Sequence, residues 1–299
     1  MERVVTESRK WRVHKTADVI IDFHTHIFPP DIRDQREELL RKDRTLSDLY
    51  SRRSARMVSA EELISAMDES EVDVSVVLGI GWSDSDLGKK ANDYVIESVN
   101  KHPTRLRGFC SVNPLWGDEA VVREIERCSR AGLSGIGELH PDTQGFDLGD
   151  LDTMSPMVET AINLDMPILT HTSEPMGHTY PGKGHTTPDV LWGFLQNFPD
   201  AEVIFAHWGG GLPFYSLMPE VLDTFRRVYF DTAASPLLYR AEIFEIVTSL
   251  VGSDKILLGS DYPVIGQGGV IQQLLGSSIS DEGKNDISSY NAATILGIY

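Results

Sequence analysis

The chain has 299 residues, which is enough for one large domain or two small ones and too many for a disulfide-stapled mini-protein. Its composition, 41% apolar and 24% charged, is that of a globular protein and excludes a largely disordered or fibrous chain. The formal charge of −18 at pH 7 argues against non-specific binding to nucleic acid or to an anionic membrane, so we expect a small-molecule substrate as the partner.

Targeting and redox features both indicate the cytoplasm. Residues 1–15 are charged and lack an apolar run of signal-peptide length, and nowhere is there a run of the roughly 18 apolar residues that a membrane span needs. The two cysteines, Cys110 and Cys128, lie in a predicted buried strand and a predicted amphipathic helix, where thiols are usually inert. We therefore expect a protein of the reducing cytoplasm, without export and without a membrane span.

Eight short apolar runs alternate with longer segments of helical periodicity. The runs cover residues 19–26, 74–81, 106–112, 135–140, 167–173, 202–209, 228–233 and 255–261. Runs that are apolar on both faces are typical of buried parallel strands. Eight strand and helix alternations in about 250 residues favour a (β/α)8 TIM barrel over a doubly wound sheet. No linker interrupts the series, so residues 1–299 are predicted to form a single domain.

Helix-start chemistry supports the segments between the runs. Ser59 with Glu62 predicts a capping box, and Thr187 followed by Pro188 predicts a helix N-cap with proline at the first helical position.

One connection is much longer than the others. Residues 27–73, between the first two predicted strands, form a predicted helical insertion in which basic residues are concentrated at positions 33–56. One interpretation is a solvated face, because nearby acidic residues offset most of that charge. The other is a lid over the barrel mouth, since a loop after a barrel strand opens on the catalytic face.

Histidines and an aspartate at strand ends predict a metal site. His24 and His26 are two positions apart on the first strand, so their side chains point to one face. His171, His207 and Asp261 each end another apolar run, and such ends converge in a barrel. Bringing these imidazoles and a carboxylate together out of water is costly without a cation, whereas a divalent metal makes the arrangement favourable.

The motifs around these residues resemble the amidohydrolase superfamily, and most closely its amidohydrolase-related branch, which holds hydrolases and metal-dependent decarboxylases. The similar segments are DFHTH at 22–26, THT at 170–172, AHWGG at 206–210, GSDYP at 259–263 and NAATILG at 291–297. The resemblance covers nearly the whole chain in the expected order.

This resemblance implies that His24, His26 and Asp261 bind a divalent metal and that His171 is a further ligand. It leaves two roles for His207, an acid/base or polarising residue beside one ion or a ligand of a second ion. Zinc is the expected metal, with manganese, iron or cobalt as alternatives because mixed histidine and carboxylate sites accept all of them. One ion or two, and a monomer or a homo-oligomer, both stay open.

Three further positions complete the predicted site. Glu138, at the end of the fourth strand, stands where two-metal relatives present a bridging group, although it could instead face an arginine or cap the next loop. His140 shares its strand face and either contacts substrate or only lines the mouth. Glu174 and His178 follow the fifth strand in a Gly- and Pro-containing loop that is expected to shape the substrate pocket.

The function expected from these features is metal-dependent hydrolysis. Metal-bound water would attack a small-molecule amide, lactone or ester, Asp261 would accept a proton, and His207 would polarise or protonate the substrate. The alternative is a metal-dependent decarboxylase of a small carboxylated substrate, in which a basic residue of the insertion meets a second anionic group. A third hypothesis is a binding barrel without turnover, against which the full set of ligand types argues.

Overall fold

Eight strands form the centre of the protein. The computed structural model describes residues 19–298, so the expectation for residues 1–15 lies outside the described residues. The strands are β1 (Ile21–His26), β2 (Val74–Leu78), β3 (Leu106–Cys110), β4 (Gly135–Leu139), β5 (Ile168–Thr170), β6 (Val203–Phe205), β7 (Val228–Asp231) and β8 (Ile256–Leu257). Each pairs in parallel with the next, in chain order.

The first strand and the segment after the last strand close the sheet into a barrel. Phe23 N donates to Leu258 O at 2.7 Å, and His26 N donates to Tyr262 O at 2.7 Å. Asp261 N donates in the other direction, to His24 O, at 2.9 Å. The predicted (β/α)8 barrel is therefore confirmed.

Helices follow the strands on the outside. Within residues 19–298 the α-helical segments are α1 (Pro30–Asp34), α2 (Arg36–Leu39), α3 (Arg44–Tyr50), α4 (Ala60–Glu69), α5 (Ser85–Lys101), α6 (Asp118–Arg130), α7 (Pro141–Gln144), α8 (Leu151–Asn163), α9 (Pro188–Asn197), α10 (Ala206–Gly209), α11 (Pro219–Leu222), α12 (Ser235–Leu238), α13 (Ile243–Val251), α14 (Gln267–Gly276), α15 (Asp281–Asn285) and α16 (Asn291–Leu296). Short 3-10 turns and a π-helical turn, Asp286–Tyr290, join some of them.

The two predicted helix starts have different outcomes. At α4 the capping box forms, because the Ser59 hydroxyl accepts from Glu62 N and the Glu62 carboxylate accepts from Ser59 N. At α9 proline occupies the first turn as predicted, but Thr187 makes no side-chain cap. Its hydroxyl donates instead to the Asp189 carboxylate at 2.5 Å.

Several strands end earlier than the apolar runs predict. β6 ends at Phe205 and β8 at Leu257, rather than at positions 209 and 261. His207 and Asp261 have φ values of 56° and 69°, which exclude both residues from an extended strand. These two side chains therefore stand on turns at the barrel mouth.

Two layers of apolar side chains support the barrel. Phe109, Leu169, Ile204 and Leu257 come from four different strands and belong to one buried cluster, while the neighbouring residues on those strands pack against the helices. Because side chains alternate along a strand, this cluster fills the interior below the mouth. Cys110 and Cys128 are buried and free, as predicted.

The helical insertion after β1 is present and has an apolar cluster of its own. Phe28, Ile32 and Leu46 pack there with Ile80 and Trp82, which follow β2. The insertion is thus a packed part of the fold beside the barrel mouth. No helix within residues 19–298 is long and apolar enough to cross a membrane.

Candidate metal centre

Three predicted ligands converge at the mouth of the barrel. The Nε2 atoms of His24 and His26 lie 3.2 Å apart. Asp261 Oδ1 lies 3.8 Å from His24 Nε2 and 3.4 Å from His26 Nε2. The two histidines are buried on β1, and the seam hydrogen bond from Asp261 N to His24 O brings the aspartate beside them.

The hydrogen bonds behind the two imidazoles leave lone pairs facing each other. His24 Nδ1 donates to Asp231 Oδ2 at 2.8 Å, and His26 Nδ1 donates to the Leu78 carbonyl oxygen at 3.3 Å. In the neutral imidazoles each Nε2 atom is therefore an acceptor, and two acceptors need a proton or a cation between them. Two imidazole nitrogens and a carboxylate oxygen directed at one point are the donor set of a divalent metal, so these residues fit such an ion.

A second group of potential ligands shares the cavity. Glu138 Oε1 lies 3.1 Å from His171 Nδ1 and 3.7 Å from His207 Nε2, and these two nitrogens are 3.1 Å apart. The other oxygen of Glu138, Oε2, lies 3.5 Å from Nε2 of both His24 and His26. The structure therefore brings all six predicted metal-binding residues together, with Glu138 between the two groups.

Charge in this cluster favours the binding of positive species. Burial is the largest influence on the pKa of Glu138 and acts to raise it, but His24, His171 and His207 outweigh it and hold that pKa well below its ordinary value. Burial likewise acts to lower the pKa of His207, yet Glu138 and Asp261 raise it to about 9. The carboxylates thus draw either protons or a cation into the cavity.

The turn after β6 places His207. This turn has left-handed backbone at His207 and Trp208, with φ values of 56° and 59°, and continues so through Gly210. A Cβ atom at Gly210 would lie 2.5 Å from the carbonyl oxygen of Ser173, so only glycine fits there. His207 Nδ1 donates to the Ala233 carbonyl at 3.1 Å, which directs Nε2 toward Glu138.

A cavity of about 350 Å³ opens above this cluster. Its wall is partly apolar, and its outer part is formed by the insertion and by the loop after β5. The lining residues include His26, Glu138, His171, His207 and Asp261 near the cluster, Leu49, Ile80, Leu237, Leu238 and Val264 on the wall, and Tyr50, Arg52, Arg56, His178 and Tyr180 farther out. Residues far apart in the sequence, from His26 to Val264, thus line one cavity.

The predicted substrate-contacting residues occupy different places. His140 lines the cavity, stacks on His171 with ring centroids 4.1 Å apart, and has no hydrogen-bond partner within residues 19–298 for either ring nitrogen. His178 lines the outer part. Glu174 does not line the cavity, but Tyr180 does. The hydroxyl of Tyr180 donates to Glu174 Oε2 at 3.0 Å.

No sequence motif singles out Tyr50, Arg52, Arg56 or Asp231. Tyr50 is 6% exposed, and burial followed by the charges of Asp261 and Glu138 raises the pKa of its phenol, so it presents a neutral hydroxyl. Arg52 and Arg56 form no ion pair with any described residue, and Arg56 lies over the ring of Tyr262 at 5.5 Å. Asp231 ends β7, and its position at a strand end was the available signal.

Comparison with known proteins agrees with this geometry. The family model described as amidohydrolase matches residues 21–298. The chain belongs to the amidohydrolase family. The resemblance noted in the sequence is thereby confirmed, and the chain is an enzyme of the amidohydrolase superfamily.

Curated relatives of this amidohydrolase are decarboxylases. The γ-resorcylate decarboxylase of Polaromonas sp. is 25% identical over 71% of this chain and 76% of its own length. The 2-amino-3-carboxymuconate-6-semialdehyde decarboxylase of Dictyostelium discoideum is 24% identical over 93% of this chain and 91% of its own length.

Solved structures share the fold. The 5-carboxyvanillate decarboxylase of Sphingomonas paucimobilis superimposes with a TM-score of 0.79 and 18% identity, over 95% of this chain and 100% of that chain. A dihydroxybenzoic acid decarboxylase from Polaromonas sp. has a TM-score of 0.72 and 20% identity, over 94% of this chain and 98% of that chain, and that structure contains manganese and the inhibitor 2-nitroresorcinol.

These relatives correct the expected reaction. Hydrolysis of an amide, lactone or ester was the first expectation, and it is wrong because the curated relatives are decarboxylases, as are both of the structural neighbours described above. The physical reason for the error is that both reactions use the same histidine and carboxylate ligands on the same barrel, so the ligand types do not separate them.

Proposed function

We propose that this amidohydrolase-family enzyme is a metal-dependent decarboxylase of a small carboxylic acid. The observation that carries the proposal is the cavity that joins a buried histidine and carboxylate cluster at its floor to two unpaired arginines at its mouth. The relatives support it, because those with curated functions release a carboxyl group from small unsaturated or aromatic acids.

The metal centre is proposed to consist of His24, His26 and Asp261, with His171 as a further ligand. Manganese is the ion of first choice, because it is present in the related Polaromonas enzyme, and zinc suits the same donors. A divalent cation here supplies a Lewis acid that holds anionic oxygen atoms of the substrate and withdraws negative charge from them.

Substrate recognition is assigned to the outer part of the cavity. Arg52 and Arg56 carry positive charge without a carboxylate partner among the described residues, so they are suited to an acidic substituent on the substrate. Leu49, Leu237 and Val264 offer apolar surface to its carbon skeleton. In this proposal residues 27–73 act as the lid over the mouth.

Proton transfer is assigned to His207, with Asp261 as the second candidate. Breaking the bond between the carbon skeleton and the carboxyl carbon releases CO2 and leaves the electron pair on the skeleton. That carbon then takes up one proton, so the product is the acid with hydrogen in place of the carboxylate. His207 and Asp261 both line the cavity, so either side chain is within reach of a substrate bound there.

The test is direct measurement of CO2 release. The purified enzyme, loaded with Mn²⁺, is incubated with 2,6-dihydroxybenzoate, 5-carboxyvanillate and 6-methylsalicylate, and the product is identified by chromatography and mass spectrometry. We expect stoichiometric CO2 and descarboxy product from at least one acid.

Two controls accompany this experiment. Asp261→Asn should abolish turnover, while Arg53→Met, which changes an exposed arginine outside the cavity lining, should leave it unchanged. Folded and metal-loaded enzyme that releases no CO2 from a broad panel of aromatic and unsaturated acids contradicts the proposal.

A further inference from the structure

Asp231 is a buried carboxylate that touches both halves of the candidate centre. It lies at the end of β7 with no exposed surface. Its Oδ2 accepts from His24 Nδ1 at 2.8 Å. Its Oδ1 accepts from the backbone N–H of His207 at 2.9 Å and from that of Ala233 at 3.0 Å.

The contact through Oδ2 sets the orientation of His24. A carboxylate can only accept, so His24 must place a proton on Nδ1. The lone pair then lies on Nε2, the nitrogen that faces His26, Glu138 and Asp261. Histidine ligands of metals are commonly held in this way by a carboxylate behind the ring.

The contacts through Oδ1 set the orientation of His207. The backbone of His207 is left-handed, with φ 56°, a conformation that needs external support in a non-glycine residue. Asp231 holds its N–H directly. It also holds the N–H of Ala233, the residue whose carbonyl oxygen accepts from His207 Nδ1. Both the backbone and the ring of His207 therefore depend on Oδ1.

We propose that Asp231 is a positioning residue that orients the metal ligand His24 with one oxygen and the proton-transfer residue His207 with the other. The role at His207 rests on the proposed function, whereas the role at His24 concerns metal binding alone. The two carboxylate oxygens thus link metal affinity and proton transfer through a single side chain.

The variant Asp231→Asn separates the two roles. Its amide oxygen can still accept from His207 and Ala233, but its NH2 group then faces His24 Nδ1. His24 must accept at Nδ1 and carry its proton on Nε2, which removes the lone pair directed at the metal. We expect the affinity for Mn²⁺ and Zn²⁺, measured by competition with a chelator, to fall about 10- to 100-fold.

Asp43→Asn is the matched control. Asp43 is also buried and accepts backbone N–H hydrogen bonds, from Leu46, Ser83 and Asp84, but it forms no hydrogen bond or ion pair with a histidine within residues 19–298. This variant can lose stability, yet it should keep the wild-type metal affinity. Equal affinity in wild type and Asp231→Asn, or an equal loss in Asp43→Asn, overturns the inference.

The role of Asp231 in orienting His207 is tested by measuring kcat at saturating metal. Asp231→Ala removes both oxygens and should lower kcat well below that of Asp231→Asn, which keeps the acceptor for His207. Equal kcat values in the two metal-saturated variants overturn this half of the inference.

A spectroscopic measurement covers the case in which the variants do not fold. In the Zn²⁺-loaded wild type, NMR of protein labelled with ¹⁵N-histidine should show the His24 proton on Nδ1, at low field and in slow exchange because its acceptor is buried. A His24 proton on Nε2 overturns the inference. Failure of the wild type to bind any divalent ion overturns the metal centre itself. The affinity measurement on the wild type distinguishes this outcome from a metal-binding protein in which His24 carries its proton on Nε2.

Discussion

Arg36 Nε donates to the carbonyl oxygen of Tyr50 at 2.8 Å, which joins α2 to the end of α3. The same guanidinium donates to the Ala55 carbonyl at 3.1 Å and contacts the carbonyl of Arg52. One side chain therefore holds three carbonyl oxygens of the segment that carries the outer lining of the cavity. Arg36 takes part in none of the ion pairs among the described residues, so its hydrogen bonds serve this segment.

Replacing Arg36 with methionine should loosen residues 50–56. The segment contains Arg52, Arg53 and Arg56, each of which trypsin can cleave once the backbone opens. Loss of the Arg36 hydrogen bonds should raise the rate of cleavage in residues 50–56 about tenfold, equivalent to about 1.4 kcal/mol of local stability. Limited trypsin digestion followed by mass spectrometry measures it. Arg33→Met, which removes only an exposed ion pair with Glu62, is the control, and similar cleavage of both variants contradicts the prediction.

Arg52→Met and Arg56→Met should weaken substrate binding more than turnover. Each change removes a positive charge from the cavity mouth, so KM for an acidic substrate should rise about tenfold, within the range expected for a charge-assisted hydrogen bond. Steady-state kinetics at fixed Mn²⁺ measures KM and kcat separately. An unchanged KM in both variants would show that neither arginine binds the substrate. Arg53→Met is the control for the loss of one nearby positive charge.

His140→Phe should preserve the fold and raise KM. Phenylalanine can stack on His171 as the imidazole does, and it removes two buried nitrogens that have no partner within residues 19–298, so stability should not fall. A substrate hydrogen bond to His140, if lost, should raise KM about tenfold. Thermal unfolding and kinetics measure the two effects. Wild-type KM in a stable His140→Phe variant would show that His140 only lines the cavity.

Removal of the metal should abolish activity reversibly. Dialysis against a chelator should eliminate CO2 release, and Mn²⁺ should restore it. His26→Ala should bind the ion too weakly for this recovery, because one of three convergent ligands is missing. Elemental analysis beside the activity assay checks both results, and full activity in the chelated enzyme contradicts the proposed role of the metal.

Stability should depend on pH through Glu124, far from the cavity. Its carboxylate accepts from Arg127 Nε at 2.9 Å and from Asn92 at 2.7 Å. Burial acts to raise the pKa of Glu124 and is the largest influence, but Arg127 and Asn92 lower the pKa below its ordinary value of 4.5. Its ionised form therefore stabilises the fold above pH 4.5, and this contribution is lost as the pH falls through the lower, folded-state value.

Glu124→Gln should remove that contribution. The free energy of unfolding should fall by about 1 to 3 kcal/mol near pH 7, and the difference from wild type should shrink as the pH falls below 4.5. Urea unfolding at a series of pH values measures it. A difference that stays constant from pH 7 to pH 3 would contradict the assignment to ionisation.

The sequence predicts the barrel and which residues meet at the centre of the candidate site, because both depend on short local patterns of apolar and polar residues. Apolar runs predict eight strands, and polar residues at their ends, such as His24 and Asp261, are the candidate ligands that converge in the structure. The left-handed turn at His207 is missed because the run continues through apolar and small residues. Asp231 is missed because its strand end was read only as part of a run.

The remaining parts of the site depend on tertiary packing. Tyr50, Arg52 and Arg56 reach the cavity because α3 packs in one apolar cluster with residues that follow β2, and because Arg36 holds the segment after α3. No local pattern predicts this placement. The reaction itself was mispredicted, because hydrolases and decarboxylases of this family use the same ligand types.

The seam between β1 and the segment after β8 has a consequence for biosynthesis. The proposed metal-binding group is completed only when Asp261, which follows β8, meets His24 on β1. The ribosome adds Asp261 after all eight strands have been made, so a shorter nascent chain lacks part of the proposed ligand set. A bound ion would stabilise the closed barrel over the unfolded chain, and truncation before residue 261 would remove Asp261 together with the two seam hydrogen bonds that Asp261 N and Tyr262 O make.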